Sequence, residues 1–167
     1  KKISDEQIKV IGSKIRREFT HHIVKINPLK YNELIQQFGN LNHLLAWGHA
    51  TTIEQLFAKT KCKKIVVDQF ANERVVLTAL KRKHLNLDVT QRHRAEEDLV
   101  VAAASILARQ AFLDALDFLA KEYSMVFPKG ASSLTIKAGR RFLNEHGREK
   151  LGHVAKLHFK TLDSIVS

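Results

Sequence analysis

A short run of β-branched residues, Ile65-Val66-Val67, limits what this chain can fold into more than any other segment. The run is too short for a helix, and it predicts a buried strand. Polar Asp68 and Gln69 follow at once and mark the end of that strand. The sequence therefore predicts a strand that delivers an acidic side chain to the edge of a sheet.

Helical patterns alternate with this strand along the chain. Ser4 to Gln7 have the spacing of a capping box, and apolar residues recur at intervals of three and four in several segments. Helices are predicted over residues 4–18, 29–38, 41–59, 73–83, 96–123 and 134–144, further strands over 22–26 and 87–92, and a turn at Pro128-Lys129-Gly130. Alternation of this kind favours the α/β class.

The predicted sheet is small for the number of helices. Two or three strands are a poor platform for five or six helices, because each helix must bury an apolar face. We therefore expect the first strands of the sheet to come from another part of a longer chain. No internal repeat or linker divides the sequence, so residues 1–167 are interpreted as one partial domain.

The charge balance points to a polyanionic partner. The chain has 28 Lys and Arg against 17 Asp and Glu, which gives a formal net charge of +11 and favours phosphate contacts. Cys62 is the single cysteine, which excludes an intrachain disulfide and fits a reducing compartment, so a cytoplasmic location is expected. No apolar run approaches the roughly 20 residues that span a bilayer, so no membrane association is expected.

Asp68 and a second acidic segment, Glu96-Glu97-Asp98, form the main candidate site. Ligands of open α/β sheets gather at the carboxyl ends of strands, and neighbouring carboxylates repel one another unless a cation lies between them. Oxygen ligands select Mg²⁺ or Mn²⁺ over zinc. The alternative is that Asp68 merely ends a strand and the acidic triplet complements the positive end of a helix. The residues alone leave both hypotheses open.

Five segments taken together resemble the type 2 ribonuclease H superfamily and, within it, the ribonuclease HIII family. They follow the family's order along nearly the whole chain: Lys1 to Asp5, Ile65 to Phe70, Arg94-Ala95-Glu96 with Val101 to Arg109, Phe127 to Ala131, and Ala155 to Phe159. The helix Ala-Ala-Ala-Ser-Ile-Leu-Ala-Arg behind an upstream glutamate and the strand Val-Val-Asp-Gln-Phe are the most specific. The resemblance implies a ribonuclease H-like mixed sheet flanked by helices, with the first strands missing from this chain.

The resemblance also implies a function. Enzymes of this kind are endonucleases that cut the RNA strand of RNA–DNA hybrids, using four carboxylates and two Mg²⁺ ions, with Mn²⁺ as the other possible metal. It maps Asp68 and Glu96 onto two of these carboxylates as catalytic metal ligands, with Glu97 as the alternative to Glu96. The other two carboxylates, an Asp-Glu pair, belong to the family's amino-terminal half, which this sequence lacks.

Substrate contacts are implied at Lys1, which matches a lysine near the substrate phosphate, and at Lys129 and Gly130 in the Pro-Lys-Gly-Ala turn. The expected partner is an RNA–DNA hybrid, bound by a monomer. Two competing hypotheses remain. One is a basic nucleic-acid-binding module without catalysis, and the other is an adaptor whose basic faces bind an acidic protein.

Overall fold

The computed structural model describes residues 3–167, and this part of the chain contains seven α-helices and two β-strands. In chain order they are α1 (Asp5–Glu18), α2 (Pro28–Phe38), α3 (Leu41–Thr60), β1 (Lys64–Asp68), α4 (Glu73–Arg82), β2 (Asp88–Arg92), α5 (Leu99–Glu122), α6 (Ser133–His146) and α7 (Asp163–Val166). Short 3₁₀ turns cover Ala95–Glu97, Glu149–His153 and Lys160–Leu162.

Strands β1 and β2 pair in parallel, in a register that sets Lys64 opposite Asp88 and Asp68 opposite Arg92. A parallel pair needs a crossover connection, and α4 supplies it between the two strands. The predicted α/β class is confirmed. A sheet of two strands within residues 3–167 agrees with the expectation that the first strands of the sheet are missing from this chain.

Side chains at the helix starts explain several boundaries that the sequence predicted. The Gln7 N–H donates to Ser4 Oγ (3.2 Å), and the Ser4 N–H donates to the Gln7 side chain (3.0 Å). This capping box satisfies N–H groups that a helix otherwise leaves unpaired. Asn40 and Asn72 each accept one such bond at the starts of α3 and α4. The helices predicted at these places are confirmed.

The strand predicted over residues 22–26 is wrong. This segment has no regular secondary structure in the chain as described. The prediction rested on the apolar residues Ile23, Val24 and Ile26, but a strand also needs a neighbour that receives its backbone hydrogen bonds. Within the described residues β1 pairs with β2 alone, so a favourable composition finds no strand to pair with.

The long helix begins three residues later than predicted. Helix α5 starts at Leu99, and Ala95–Glu97 form a 3₁₀ turn before it. Asp98 separates the two, because its backbone is extended (φ −76°, ψ 126°) and its carboxylate accepts a hydrogen bond from the Val100 N–H (2.9 Å). This is the geometry of a helix N-cap. Glu96 therefore lies on the turn, outside the α-helix.

The described chain divides into two compact units. One comprises the residues up to Lys25 together with Phe38–Leu113, and the other comprises Ile26–Gln37 together with Asp114–Ser167. Each unit has its own cluster of buried apolar residues, which are Ala46, Ala50, Ile53, Val67, Val76 and Leu80 in the first and Met125, Phe142, Leu151 and Ile165 in the second. The interpretation of residues 1–167 as one partial domain stays a prediction.

Helix α5 corrects the expectation that no apolar run approaches the length of a bilayer. With 24 residues, it is the one helix in residues 3–167 that is long and apolar enough to cross a membrane, by length and composition only. Interior helices of soluble proteins pass the same test. Leu107, Ala111 and Leu113 of α5 are buried, although only 22% of the most apolar stretch of this helix is buried.

Gly12 of α1 lies against a buried polar side chain of α5. The Arg16 Nε–H donates to Gln110 Oε1 (2.8 Å), and Gln110 Nε2 donates to Ser13 Oγ (3.0 Å). A Cβ at Gly12 would meet Gln110 Oε1 and would lie 2.9 Å from Gln110 Cδ. The absence of a side chain at Gly12 therefore makes room for the hydrogen bonds that join α1 to α5.

We expect Gly12→Ala to destabilise the protein, although Ala normally stabilises a helix interior over Gly by about 0.5–1 kcal/mol. Displacing Gln110 strains a packed contact and breaks its hydrogen bonds, at a cost of about 1–3 kcal/mol. Gly48→Ala on α3 is the matched control, because nothing lies within 4 Å of the added Cβ. Thermal unfolding of both variants checks this. The account is contradicted if Gly12→Ala raises Tm as Gly48→Ala does.

Candidate metal and nucleic-acid site

Asp68 occupies the last position of β1, where the pattern of the sequence placed it. Its side chain is exposed, and its Oδ1 accepts a hydrogen bond from the backbone N–H of Ala95 (3.2 Å). Parallel pairing of β1 with β2 sets Asp68 beside Arg92, three residues before Ala95. The register of the sheet and this bond together fix the carboxylate at the carboxyl end of both strands.

The turn that follows β2 brings the second acidic segment to the same place. Arg94 has a left-handed backbone (φ 55°), which redirects the chain, and Ala95 is completely buried. The next two residues, Glu96 and Glu97, are exposed. Because Asp68 is hydrogen-bonded to the residue directly before Glu96, acids 28 positions apart in sequence lie at one end of the sheet. Their role as metal ligands stays a prediction.

Asp98 has a structural role in this arrangement. One carboxylate oxygen accepts the Val100 N–H at the start of α5 (2.9 Å), and the other lies 3.7 Å from Arg92 Nη2. Asp98 therefore caps the helix, which is the role that the alternative hypothesis gave to the whole acidic triplet. The structure divides the triplet, because Glu96 and Glu97 lie on the preceding turn and make no such cap.

His49 of α3 is a neighbour of Asp68 that the sequence did not reveal. Its ring stacks on Phe70, with 5.0 Å between ring centroids and 12° between planes. Burial lowers the pKa of His49, and the negative charge of Asp68 opposes this shift. The nine histidines show no zinc-binding spacing, and no motif marks this one. The feature that could have identified His49 is its position on the face of α3 that carries the buried Ala46, Ala50 and Ile53.

The donor set suits a hard divalent cation but is incomplete. Asp68, Glu96 and Glu97 offer exposed carboxylate oxygens at one end of the sheet, which are the ligands that Mg²⁺ and Mn²⁺ prefer. Residues 3–167 contain no group of three or more His, Cys, Asp or Glu side chains positioned to hold one metal ion. These residues fit part of a metal site, which would need further ligands to be complete.

Exposed cationic side chains lie at both ends of the paired strands. Arg92 and Arg94 lie at the acidic end with Asp68, whereas Lys63 and Lys64 lie at the opposite end with Asp88. Their placement on and next to the two strands offers contacts to phosphates, which carry affinity without base recognition.

The predicted substrate contacts lie elsewhere in the chain. Lys1 lies outside the described residues. Lys129 and Gly130 are exposed and belong to the unit that contains Asp114–Ser167. Gly130 has φ +84°, and a Cβ there would meet nothing within 4 Å. A left-handed backbone, rather than crowding, therefore favours glycine at this turn.

Comparison with known proteins gives these features a context. The sequence pattern of the ribonuclease HII family matches residues 1–162. The ribonuclease HIII of Protochlamydia amoebophila is 60% identical, over 99% of this chain and 55% of that protein. The chain belongs to the ribonuclease HIII family. The Chlamydia felis ribonuclease HIII is 45% identical, over 99% of this chain and 56% of that protein.

A solved structure supports the same assignment. The structure of Bst-RNase HIII in complex with Mn²⁺ superimposes with a TM-score of 0.92 at 26% identity, covering 99% of this chain and 56% of that one. The family inferred from the motifs is confirmed, and so is the ribonuclease H-like fold. The chain spans about half the length of the ribonuclease HIII proteins that it matches.

We expect Asp68→Asn to lower the pKa of His49 further, because it removes the charge that favours the protonated ring. A buried histidine with a lowered pKa reduces the free energy of unfolding as the pH falls below about 6.5, since the unfolded chain binds the proton more tightly. The wild-type protein should lose stability in this range, and Asp68→Asn should lose more.

The measurement is an NMR titration of the His49 ring in protein free of divalent cations, with the resonance assigned by His49→Gln. Asp88→Asn is the control, because Asp88 is an exposed acid at the opposite end of the paired strands. It should leave the pKa of His49 unchanged. An unchanged or raised His49 pKa in Asp68→Asn would contradict a favourable interaction between the Asp68 charge and the protonated ring.

Proposed function

We propose that the complete protein carrying this chain is an endonuclease that hydrolyses the RNA strand of RNA–DNA hybrids. This chain would supply two of the carboxylates that hold the catalytic metal, Asp68 and Glu96, with Glu97 as the alternative to Glu96. The observation that carries the proposal is the hydrogen bond from the Ala95 N–H to Asp68 Oδ1 (3.2 Å), because it joins the end of β1 to the acidic turn.

The bond leaves Asp68 able to bind a cation. A carboxylate has about four acceptor positions, of which the Ala95 N–H uses one. The bond therefore orients the group without consuming its capacity for a metal. Two divalent ions, Mg²⁺ or Mn²⁺, would polarise the phosphate and lower the pKa of the attacking water. The Mn²⁺ complex of Bst-RNase HIII supports the use of divalent ions in this family.

The basic residues would hold the substrate by its phosphates. We assign this role to Lys1, Lys129 and the turn at Gly130, where the backbone without a side chain can approach a phosphodiester closely. Such contacts are independent of sequence and weaken steeply as salt is added. These contacts suit a nuclease that recognises the shape and backbone of a hybrid duplex and does not read its bases.

The rest of the site would come from the half of the family's length that this chain does not cover. Two exposed side chains at the start of α5, Leu99 (86% exposed) and Val100 (78% exposed), support this. Apolar side chains so close to a strand end are stabilised when a sheet packs on them. The missing strands would cover this surface and bring the remaining Asp-Glu pair to Asp68.

A cytoplasmic, monomeric enzyme is part of the same proposal. Cys62 is a free, exposed thiol, which is typical of a reducing compartment. The alternative is a basic module that binds hybrids without cutting them, in which Asp68 serves only to hold the turn at Ala95.

Asp68→Asn in the complete protein decides between these functions. The amide oxygen can still accept the Ala95 N–H, so the fold and hybrid binding should persist. Metal-dependent cleavage should fall by at least about 100-fold, because the variant loses a charged metal ligand. Cleavage of a labelled RNA–DNA hybrid and gel-shift affinity for the same hybrid are the two measurements.

The controls use the other acids of this region. Asp88→Asn should cleave normally, because its carboxylate lies at the opposite end of β2 from the candidate site. Glu96→Gln and Glu97→Gln, tested side by side, identify the second ligand as the one whose loss abolishes cleavage. Normal turnover by Asp68→Asn would remove this residue from the mechanism and favour the binding module.

A further inference from the structure

Helices α3 and α4 enclose a cleft that has no role in the proposed nuclease site. Its volume is about 360 Å³, which is within the range of sites that hold small ligands or single anchoring side chains. The cleft lies within one compact unit, and neither Asp68 nor the acidic turn lines it.

The floor of the cleft is apolar. Trp47 packs against Phe38, with 6.1 Å between ring centroids and 46° between planes, and both rings are half-buried. Ala46 and Ala50 of α3 and Val75 of α4 complete this surface. Small residues on the helices leave the ring of Trp47 open to a group that enters the cleft. A hydrocarbon or aromatic group there would be removed from water.

The rim of the cleft is cationic. Arg74 and Arg82 line it from α4, and His43 lines it from α3; all three are exposed. Lys83 also lines the cleft but is held by Glu54 (2.6 Å). No Asp or Glu lines the cleft in the described chain. The uncompensated charge therefore belongs to the two arginines, whose guanidinium groups match carboxylates in bidentate geometry.

We propose that this cleft binds an acidic peptide segment of a partner protein, anchored by one phenylalanine or leucine. The anchor lies on Trp47 and Phe38, and carboxylates flanking it pair with Arg74 and Arg82. A nucleotide base fits this cleft less well, because its edges carry several donors and acceptors. Apart from the Lys and Arg side chains, Thr78, His43 and the indole N–H of Trp47 are the polar side-chain groups that line the cleft, so most of those groups would lose water without a partner.

The test is fluorescence polarisation with the complete protein and a fluorescein-labelled octapeptide that carries three aspartates before a single phenylalanine. Saturable binding is expected. Arg74→Glu with Arg82→Glu, or Thr78→Phe to fill the cleft, should weaken it by about tenfold or more, as loss of an interface anchor does. Replacing the peptide's phenylalanine by serine should have a similar effect. Circular dichroism melts show that each variant folds.

Lys81→Glu is the matched control, because Lys81 is exposed on α4 and does not line the cleft. Apart from the small loss that any reversal of an exposed positive charge causes, this variant should change peptide affinity by less than about twofold. The proposal fails if the peptide does not bind, or if Lys81→Glu weakens binding as much as the arginine variants do. It also fails if those variants lower affinity for a single-stranded oligonucleotide while leaving the peptide unaffected.

Discussion

The hydrogen bond between the Ala95 N–H and Asp68 Oδ1 is the contact on which both the turn after β2 and the proposed metal site depend. Ala95 is fully buried, and a buried N–H without an acceptor costs about 1–3 kcal/mol. The fold therefore uses Asp68 to satisfy the backbone where β2 turns toward α5. The same contact brings the acid of one strand end beside the turn that carries Glu96 and Glu97, so the stability of the turn and the geometry of the proposed metal site depend on one interaction.

The acidic residues of this region differ in their structural surroundings and in their roles. Asp98 caps α5 and faces Arg92, whereas the exposed Glu96 and Glu97 remain on the preceding turn. His49, half-buried and stacked on Phe70, senses the charge of Asp68. The excess of Lys and Arg over the whole chain would attract phosphates but provides no ligand for a metal. Binding and catalysis would thus draw on separate sets of residues.

The sequence predicted the features that local chemistry controls. The β-branched run ending in Asp68 and the capping box at Ser4 and Gln7 both stand where expected. Features that depend on distant partners were missed. The strand over residues 22–26 lacks a neighbour to pair with. The start of α5 was missed for a local reason, because the backbone turns at Arg94 before Asp98 caps the helix. His49 could not be recognised, because its significance comes from a neighbour 19 residues away.

The most direct measurement is an anomalous difference map from a crystal of the complete protein grown with Mn²⁺. The account predicts a manganese peak at carboxylate coordination distance, about 2.0–2.6 Å, from Asp68 and from Glu96 or Glu97. Peaks confined to other residues, with Asp68 bound only to the Ala95 N–H, would contradict it.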